Sequence, residues 1–342
     1  MIFGVKIFYI VESIEWVISQ EGRDIAKNIR KIYREPIKII RQRRILLKLF
    51  RNKVLHFGSR NVYFPENYKL VDKSNTVILT WYHGSDKDIE FIDSLKKYSR
   101  KIDVLHTSCS INKENLIKWG AEEEKIVVIP IGIDTSLFKK VSKNEKERIR
   151  KEIGIPSNFL CIGSFQKDGN GWGEGNTPKL IKGPDIFCDV IARLRDKYPL
   201  FILLTGPARG YVKQRLNQLG VPFKHVFLKN YQEIARYYNA LDLYIIPSRI
   251  EGGPKAMLEG FASGIPVVST DVGMVHDFAE NEYNAMVTKI EDVDGLVYSC
   301  GRIIENTALR NKIIENAFQS VGSFDWKNIV RIYYDKIYSR YI

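Results

Sequence analysis

Two glutamates, Glu251 and Glu259, stand eight positions apart, and Gly252, Gly253, Pro254 and Lys255 follow the first of them. Glycines let a backbone turn sharply, and proline suits a first helical position because the N–H it lacks would have no partner there. A helix is therefore expected to begin near Pro254. Its free N–H groups and the positive end of its dipole face the preceding loop, which suits a phosphate. Glu259 then lies roughly 7 to 8 Å along the helix axis, with its side chain leaning back toward the start. Both carboxylates can serve one ligand, and a pyrophosphate with hydroxyl-bearing groups on either side describes a nucleotide sugar. Lys255 and Glu259 also have the i, i+4 spacing of an ordinary solvated pair, in the weaker order. Spacing alone leaves both readings open.

The elements that must hold these residues are legible as apolar runs. Leu243, Tyr244, Ile245 and Ile246 form the short continuous run of a buried parallel strand, and Pro247 stops it. Similar runs at 5–11, 53–57, 76–81, 103–107, 159–163, 201–205 and 224–228 read as strands, and 125–134 as a strand ending in a turn, with helices expected at 111–119, at 143–153 and from near Pro184. Strands alternating with helices argue for doubly wound α/β domains, whose ligands sit outside the carboxyl ends of the strands. At the end of the chain Asp325 is a helix cap, followed by Trp326, Ile329, Val330, Tyr333 and Ile337 at helical spacing.

A chain of 342 residues exceeds what one core usually holds, so two domains are expected. No apolar run approaches a membrane span. The apolar start of the chain is broken by Lys6 and followed by Glu12 and Glu15 with no small-residue cleavage site, so it reads as a first strand and not a signal peptide. Cys109, Cys161, Cys188 and Cys300 are scattered and form no C-x-x-C or Cys/His cluster, as for reduced core thiols of a cytosolic protein. The net charge of +13 is uneven: residues 1–150 carry +11 and residues 23–53 alone carry +10. Within 36–53, Ile39, Ile40, Leu46, Leu47 and Phe50 can share one helix face while Arg41, Arg43, Arg44, Lys48 and Arg51 occupy the rest. Such a helix can lie on an anionic membrane surface; the alternative is a solvated helix packed on its own domain. A basic protein can also bind nucleic acid, but no nucleic-acid motif accompanies this segment, and none is expected as a partner.

The stretch Glu251-Gly-Gly-Pro-Lys-Ala-Met-Leu-Glu259 is an E-x7-E pattern lying between a strand that ends in Pro247-Ser248 and the stretch Ala262-Ser-Gly-Ile-Pro-Val-Val268. In that setting it resembles the signature of retaining nucleotide-sugar glycosyltransferases, especially glycosyltransferase family 4, whose two-domain architecture is called GT-B. The resemblance implies two Rossmann-like domains: an acceptor-side domain over 1–138 and a nucleotide-sugar-binding domain over 139–323, with a final helix over 324–342 packing back on the first. It implies that Glu259 binds the donor ribose and Glu251 the hydroxyls of the transferred sugar. Lys182, with Gly252, Gly253 and Pro254 shaping the helix start, would meet the diphosphate. His83, after an N-terminal-domain strand, matches a histidine that similar enzymes turn toward the donor sugar; the alternative is a loop histidine with one backbone hydrogen bond. Arg249, just before Glu251, is counted with the donor-binding residues.

The chain departs from the pattern in two places. Glu12-Ser-Ile-Glu-Trp16 stands where glycines usually follow the first strand, and Ser164 stands where an arginine is expected on the diphosphate, so that Lys167 or Lys179 is the candidate for the second charge. Asp86-Lys-Asp88 and Asp292-Val-Asp294 have the D-x-D spacing that holds a divalent metal in a different glycosyltransferase architecture, but each sits at the edge of an expected helix, where Asp serves as a cap. No metal and no cofactor are expected. The resemblance therefore implies transfer of a sugar from a nucleoside-diphosphate donor to a carbohydrate or lipid-linked acceptor, in polysaccharide, lipopolysaccharide or glycolipid assembly. The expected place is the cytoplasm, at the inner face of the cell membrane. A nucleotide-sugar epimerase or glycoside phosphorylase on the same fold is the alternative within enzymes.

Overall fold

In the computed structural model, residues 5–12, 17–64, 67–171 and 173–342 are described. The chain divides into two compact units, residues 1–132 with 324–342, and residues 133–323. The division falls a few residues before the expected position at 138.

The first unit holds six parallel strands: β1 (Ile7–Val11), β2 (Ile37–Arg41), β3 (Val54–Phe57), β4 (Thr76–Thr80), β5 (Val104–Thr107) and β6 (Ile126–Val128). Their order is β2-β1-β3-β4-β5-β6. β1 and β3 are buried along their whole length, as strands covered on both faces are, β1 as a continuous apolar run and β3 with one buried histidine, His56. The final helix, Trp326–Lys336, belongs to this unit. Asp325 caps it by accepting from the Lys327 N–H at 2.9 Å. Its buried side chains include Trp326, Ile329, Val330 and Tyr333, and it runs beside helix Val17–Tyr33, with the Tyr33 and Tyr334 rings stacked at 3.6 Å.

The basic segment is not one amphipathic helix. Ile39 and Ile40 lie in β2, paired with Tyr9 and Ile10 at the edge of the sheet, and a short helix, Arg44–Leu49, follows after a break. The β-branched run from Ile37 favours an extended strand, and Pro36 sits harmlessly just before it. Leu47 and Phe50 are buried in the core of this unit, where Phe50 packs against Phe8 with ring centres 4.5 Å apart. Leu47 and Phe50 thus face their own domain. Of the unusual stretch after β1, residues 13–16 lie outside the described residues.

The second unit also has six parallel strands: β7 (Leu160–Ser164), β8 (Leu200–Thr205), β9 (Phe223–Val226), β10 (Leu243–Ile246), β11 (Val267–Thr270) and β12 (Met286–Thr288), in the order β12-β11-β10-β7-β8-β9. Its core gathers Ile162, Phe187, Ile202, Leu243, Val268 and Leu296 from strands and covering helices. The first strand of the unit, β7, is flanked by β8 on one side and β10 on the other, so the strand order reverses between β7 and β10. Loops leaving these two strands diverge and leave a crevice at their carboxyl ends. The architecture is GT-B, two Rossmann-like α/β domains. All four cysteines are free and buried, and among the described residues no helix is long and apolar enough to cross a membrane.

Candidate active site

The crevice of the second unit is closed at its base by backbone contacts among three loops. After β7 the chain reaches Ile181, whose carbonyl accepts from the N–H groups of Arg249 and Ile250 at 2.9 and 3.1 Å in the loop after β10. Gly183 has φ +63°, and a Cβ there would lie 1.9 Å from the Pro247 carbonyl oxygen. In the loop after β11, Gly273 has φ +52°, with Gly252 O only 2.5 Å from where its Cβ would be, and the next residue, Met274, donates to that oxygen at 3.1 Å. Both positions require glycine twice over, for dihedral angle and for space.

On this base sit the charged groups. Lys182 Nζ lies 2.6 Å from Glu251 Oε2, and Ser248 Oγ donates to the other carboxylate oxygen at 2.9 Å. The pair is sheltered but not sealed, with side-chain exposures of 18% and 9%. Ser248 is fixed in turn by Thr270, whose hydroxyl donates to the Ser248 carbonyl at 2.5 Å, and Gln166 donates to the Lys182 carbonyl at 3.0 Å. Burial, with the positive charges of Lys182 and Lys167, lowers the pKa of Lys179, against the opposing pull of Glu251. Three lysines thus share one neighbourhood with Glu251. This surplus of positive charge favours an anion.

Helix Lys255–Ser263 starts one residue later than expected, with Pro254 at the cap position. Glu259 is buried, at 4% exposure, and accepts a hydrogen bond from the Tyr231 hydroxyl. Lys255 Nζ stands over the Tyr231 ring, 4.8 Å from its centre. The solvated Lys255–Glu259 pair that the spacing allowed does not form.

Two of the expected donor residues, Ser164 and Arg249, have protein partners of their own. Ser164 is buried, and its Oγ accepts from the Arg209 guanidinium at 2.8 Å. Arg209 also donates to the carbonyls of Ser164 and Thr205, at 2.5 and 2.7 Å, and lies 2.9 Å from Asp168. Ser164 therefore makes room for a guanidinium that enters from the end of β8 and ties the loop after β7 to two strands. Burial raises the Asp168 pKa in spite of Arg209. Arg249 clamps neighbouring loops together. Its guanidinium donates to Asp185 Oδ1 and Oδ2 at 2.8 and 2.7 Å, to the Leu180 carbonyl at 2.7 Å, and to Glu291.

His83 belongs to the first unit, half-buried in the loop after β4. Asp86 is bound by Lys118 and Trp119, and Asp88 by Arg60. Asp292 caps helix Val293–Glu305 and Asp294 pairs with Arg193. Among the described residues no group of three or more His, Cys, Asp or Glu side chains comes together. Sequence reasoning missed the Arg209–Asp168 pair and the Tyr231–Glu259 contact. The only signal for either was position, since Arg209 and Tyr231 both follow strand ends.

The sequence profile "Glycosyl transferases group 1" matches residues 178–320, which include Lys182, Glu251 and Glu259. An uncharacterized glycosyltransferase of Methanocaldococcus jannaschii is 27% identical over 259 residues, 73% of this chain and 63% of that one. A lipopolysaccharide core biosynthesis mannosyltransferase of Rhizobium meliloti is 27% identical over 189 residues, 52% of this chain and 50% of that one. The chain thus spans between half and just under two thirds of the length of these relatives. Among solved structures, HepE of Anabaena in complex with UDP and glucose superposes with a TM-score of 0.80 at 18% identity, covering 98% of this chain and 100% of that one. A glycosyltransferase from Rickettsia africae gives 0.73 at 17%, covering 98% of each chain. Residues 178–320 thus resemble the group 1 glycosyl transferases, and the chain has the GT-B fold of these solved structures.

Proposed function

We propose that the chain is a retaining glycosyltransferase that moves a hexose from a nucleoside-diphosphate sugar to an acceptor hydroxyl. The observation that carries this reading is the Lys182–Glu251 contact of 2.6 Å at the strand-order reversal, with Lys167 and Lys179 beside it and the start of helix Lys255–Ser263 in the same loop system. As the bond between sugar and diphosphate breaks, negative charge grows on the diphosphate. Fixed ammonium groups and helix N–H groups lower the energy of that charge without a metal, and need no reorganisation to do so. Glu251 accepts hydrogen bonds from the sugar hydroxyls, and Glu259 accepts from the ribose. His83 remains the candidate for the sugar side of the reaction from the first unit.

The complex of HepE with UDP-glucose supports a nucleotide-sugar donor, and the mannosyltransferase relative supports a saccharide acceptor in cell-envelope assembly. The basic residues of 36–53, among them exposed Arg41, Arg43, Lys48 and Arg51, with Leu49 70% exposed, form a patch suited to an anionic membrane surface. That docking now rests on the patch and not on a single amphipathic helix.

The test is transfer activity with a panel of UDP- and GDP-hexoses. Lys182→Ala and Glu251→Ala should each lower turnover by about 10² to 10³, the usual loss on removing a group that meets transition-state charge. Full activity in both variants would falsify the site. Chelator should leave the wild-type rate unchanged, and donor incubated without acceptor should not epimerise.

A further inference from the structure

Glu259 is buried on the first turns of helix Lys255–Ser263, and a buried carboxylate with no hydrogen-bond donor is costly. Lys255, one turn earlier, is the cation it would ordinarily face. Tyr231 comes between them from the loop after β9. Its hydroxyl donates to Glu259 Oε1 while its ring face takes the Lys255 ammonium at 4.8 Å. A phenol therefore satisfies both charges of the pair, one by hydrogen bond and one by cation–π attraction. Behind it the ring meets that of Phe138, with centres 6.3 Å apart. A buried carboxylate and the Lys255 ammonium are thus both engaged by one side chain on a loop.

We infer that Tyr231 is a latch over Glu259 and Lys255, and that a ribonucleoside diphosphate binds by displacing it. A ribose hydroxyl replaces the phenol on Glu259, and a phosphate replaces the ring beside Lys255. The inference rests on the donor-site reading above. It has a quantitative consequence, because a ligand that binds only the open state has its apparent affinity reduced by the fraction of time the latch is open. A latch closed about nine-tenths of the time weakens binding about tenfold. Tyr231→Phe keeps the ring and its contact with Lys255 but loses the bond to Glu259.

Calorimetric titration of UDP, GDP and ADP into the wild type, Tyr231→Phe and Glu259→Gln tests this. For the diphosphate that binds the wild type best, Tyr231→Phe should bind roughly three- to tenfold tighter and Glu259→Gln weaker. Equal or weaker binding by Tyr231→Phe overturns the latch and leaves the donor site standing. Failure of the wild type to bind any of the three overturns both. A second measurement needs no nucleotide: with 3-fluorotyrosine at position 231, the fluorine resonance should shift in Glu259→Gln, and shift in the same direction when the diphosphate binds the wild type. A resonance indifferent to Glu259→Gln overturns the latch.

Discussion

The two units share a layered plan of parallel strands between helices, yet they place their polar side chains in opposite ways. In the first unit a string of hydrogen bonds runs through sealed interior. Tyr338 meets His56 at 2.7 Å, His56 meets Thr80 at 2.8 Å, Thr80 meets His106 at 3.0 Å, and His106 meets Tyr333 at 3.1 Å. These groups come from β3, β4, β5 and the terminal segment, so the string stitches the end of the chain to the sheet. Burial, with the neighbouring His106, pushes the His56 pKa well down, and burial pushes that of His106 down to about 4. Both histidines are neutral at ordinary pH. In the second unit the ionic groups gather instead on loops at the carboxyl ends of β7 and β10, partly open, with positive charge in surplus. A buried polar network whose members satisfy one another holds a fold together. Charge gathered at a partly open rim is what can act on a ligand.

The second unit has one sealed pair of its own, and it provides the harshest test of this contrast. Arg209→Met leaves Asp168 buried without its cation and should cost about 3 to 5 kcal/mol in urea melts. Adding Asp168→Leu should recover most of that loss, since a buried ion pair can be replaced by apolar packing. If the double variant is as unstable as the single one, Arg209 does more than neutralise Asp168.

Acid should act mainly on the first unit. The folded chain refuses at His106 a proton that the unfolded chain accepts, so this contribution to stability is complete above about pH 6.5 and is lost as pH falls from there toward 4. Linkage sets the loss at about 3 kcal/mol when the lower value is reached, and His56 acts in the same direction. Urea melts followed by tryptophan fluorescence at a series of pH values should show this decline, and a shallower one in His106→Gln. Parallel declines in the two proteins would remove His106 from the account.

The smallest effect concerns a charge of the second unit that lies away from the crevice. Asp292 accepts from the Gly295 N–H at 2.8 Å as a helix cap. Asp292→Ala should cost about 1 kcal/mol by thermal melting while transfer activity at low temperature stays unchanged. A loss of activity that added metal restores would revive the D-x-D reading.

How much of this was legible in the sequence follows from the range of the interactions. The strands from β3 to β10 and the helix over 143–153 announce themselves by local apolar runs and caps, whereas the short edge strand β12 was not expected. The E-x7-E stretch was legible as a loop and helix start because Gly252, Gly253 and Pro254 are adjacent. The segment 36–53 misled because Ile39, Ile40, Leu47 and Phe50 fit a helical face on paper, whereas pairing with β1 is a tertiary choice that overrides spacing. Arg209 beside Ser164, and Tyr231 on Glu259, join residues from different strand ends, and no local pattern encodes them. The reverse also holds: Arg249 sat in a suggestive position, and only its partners Asp185 and Glu291 reveal it as a clamp.

The central claim is that the lysines and Glu251 of the second unit form a nucleoside-diphosphate site. Calorimetric titration of the wild type and of Lys182→Ala with the same diphosphate, at two salt concentrations, tests it most directly. The account predicts one site per chain in the wild type, weakened by salt, and at least roughly tenfold weaker binding in Lys182→Ala, in keeping with the loss of a charge-assisted contact. Equal affinity in the two proteins would contradict it.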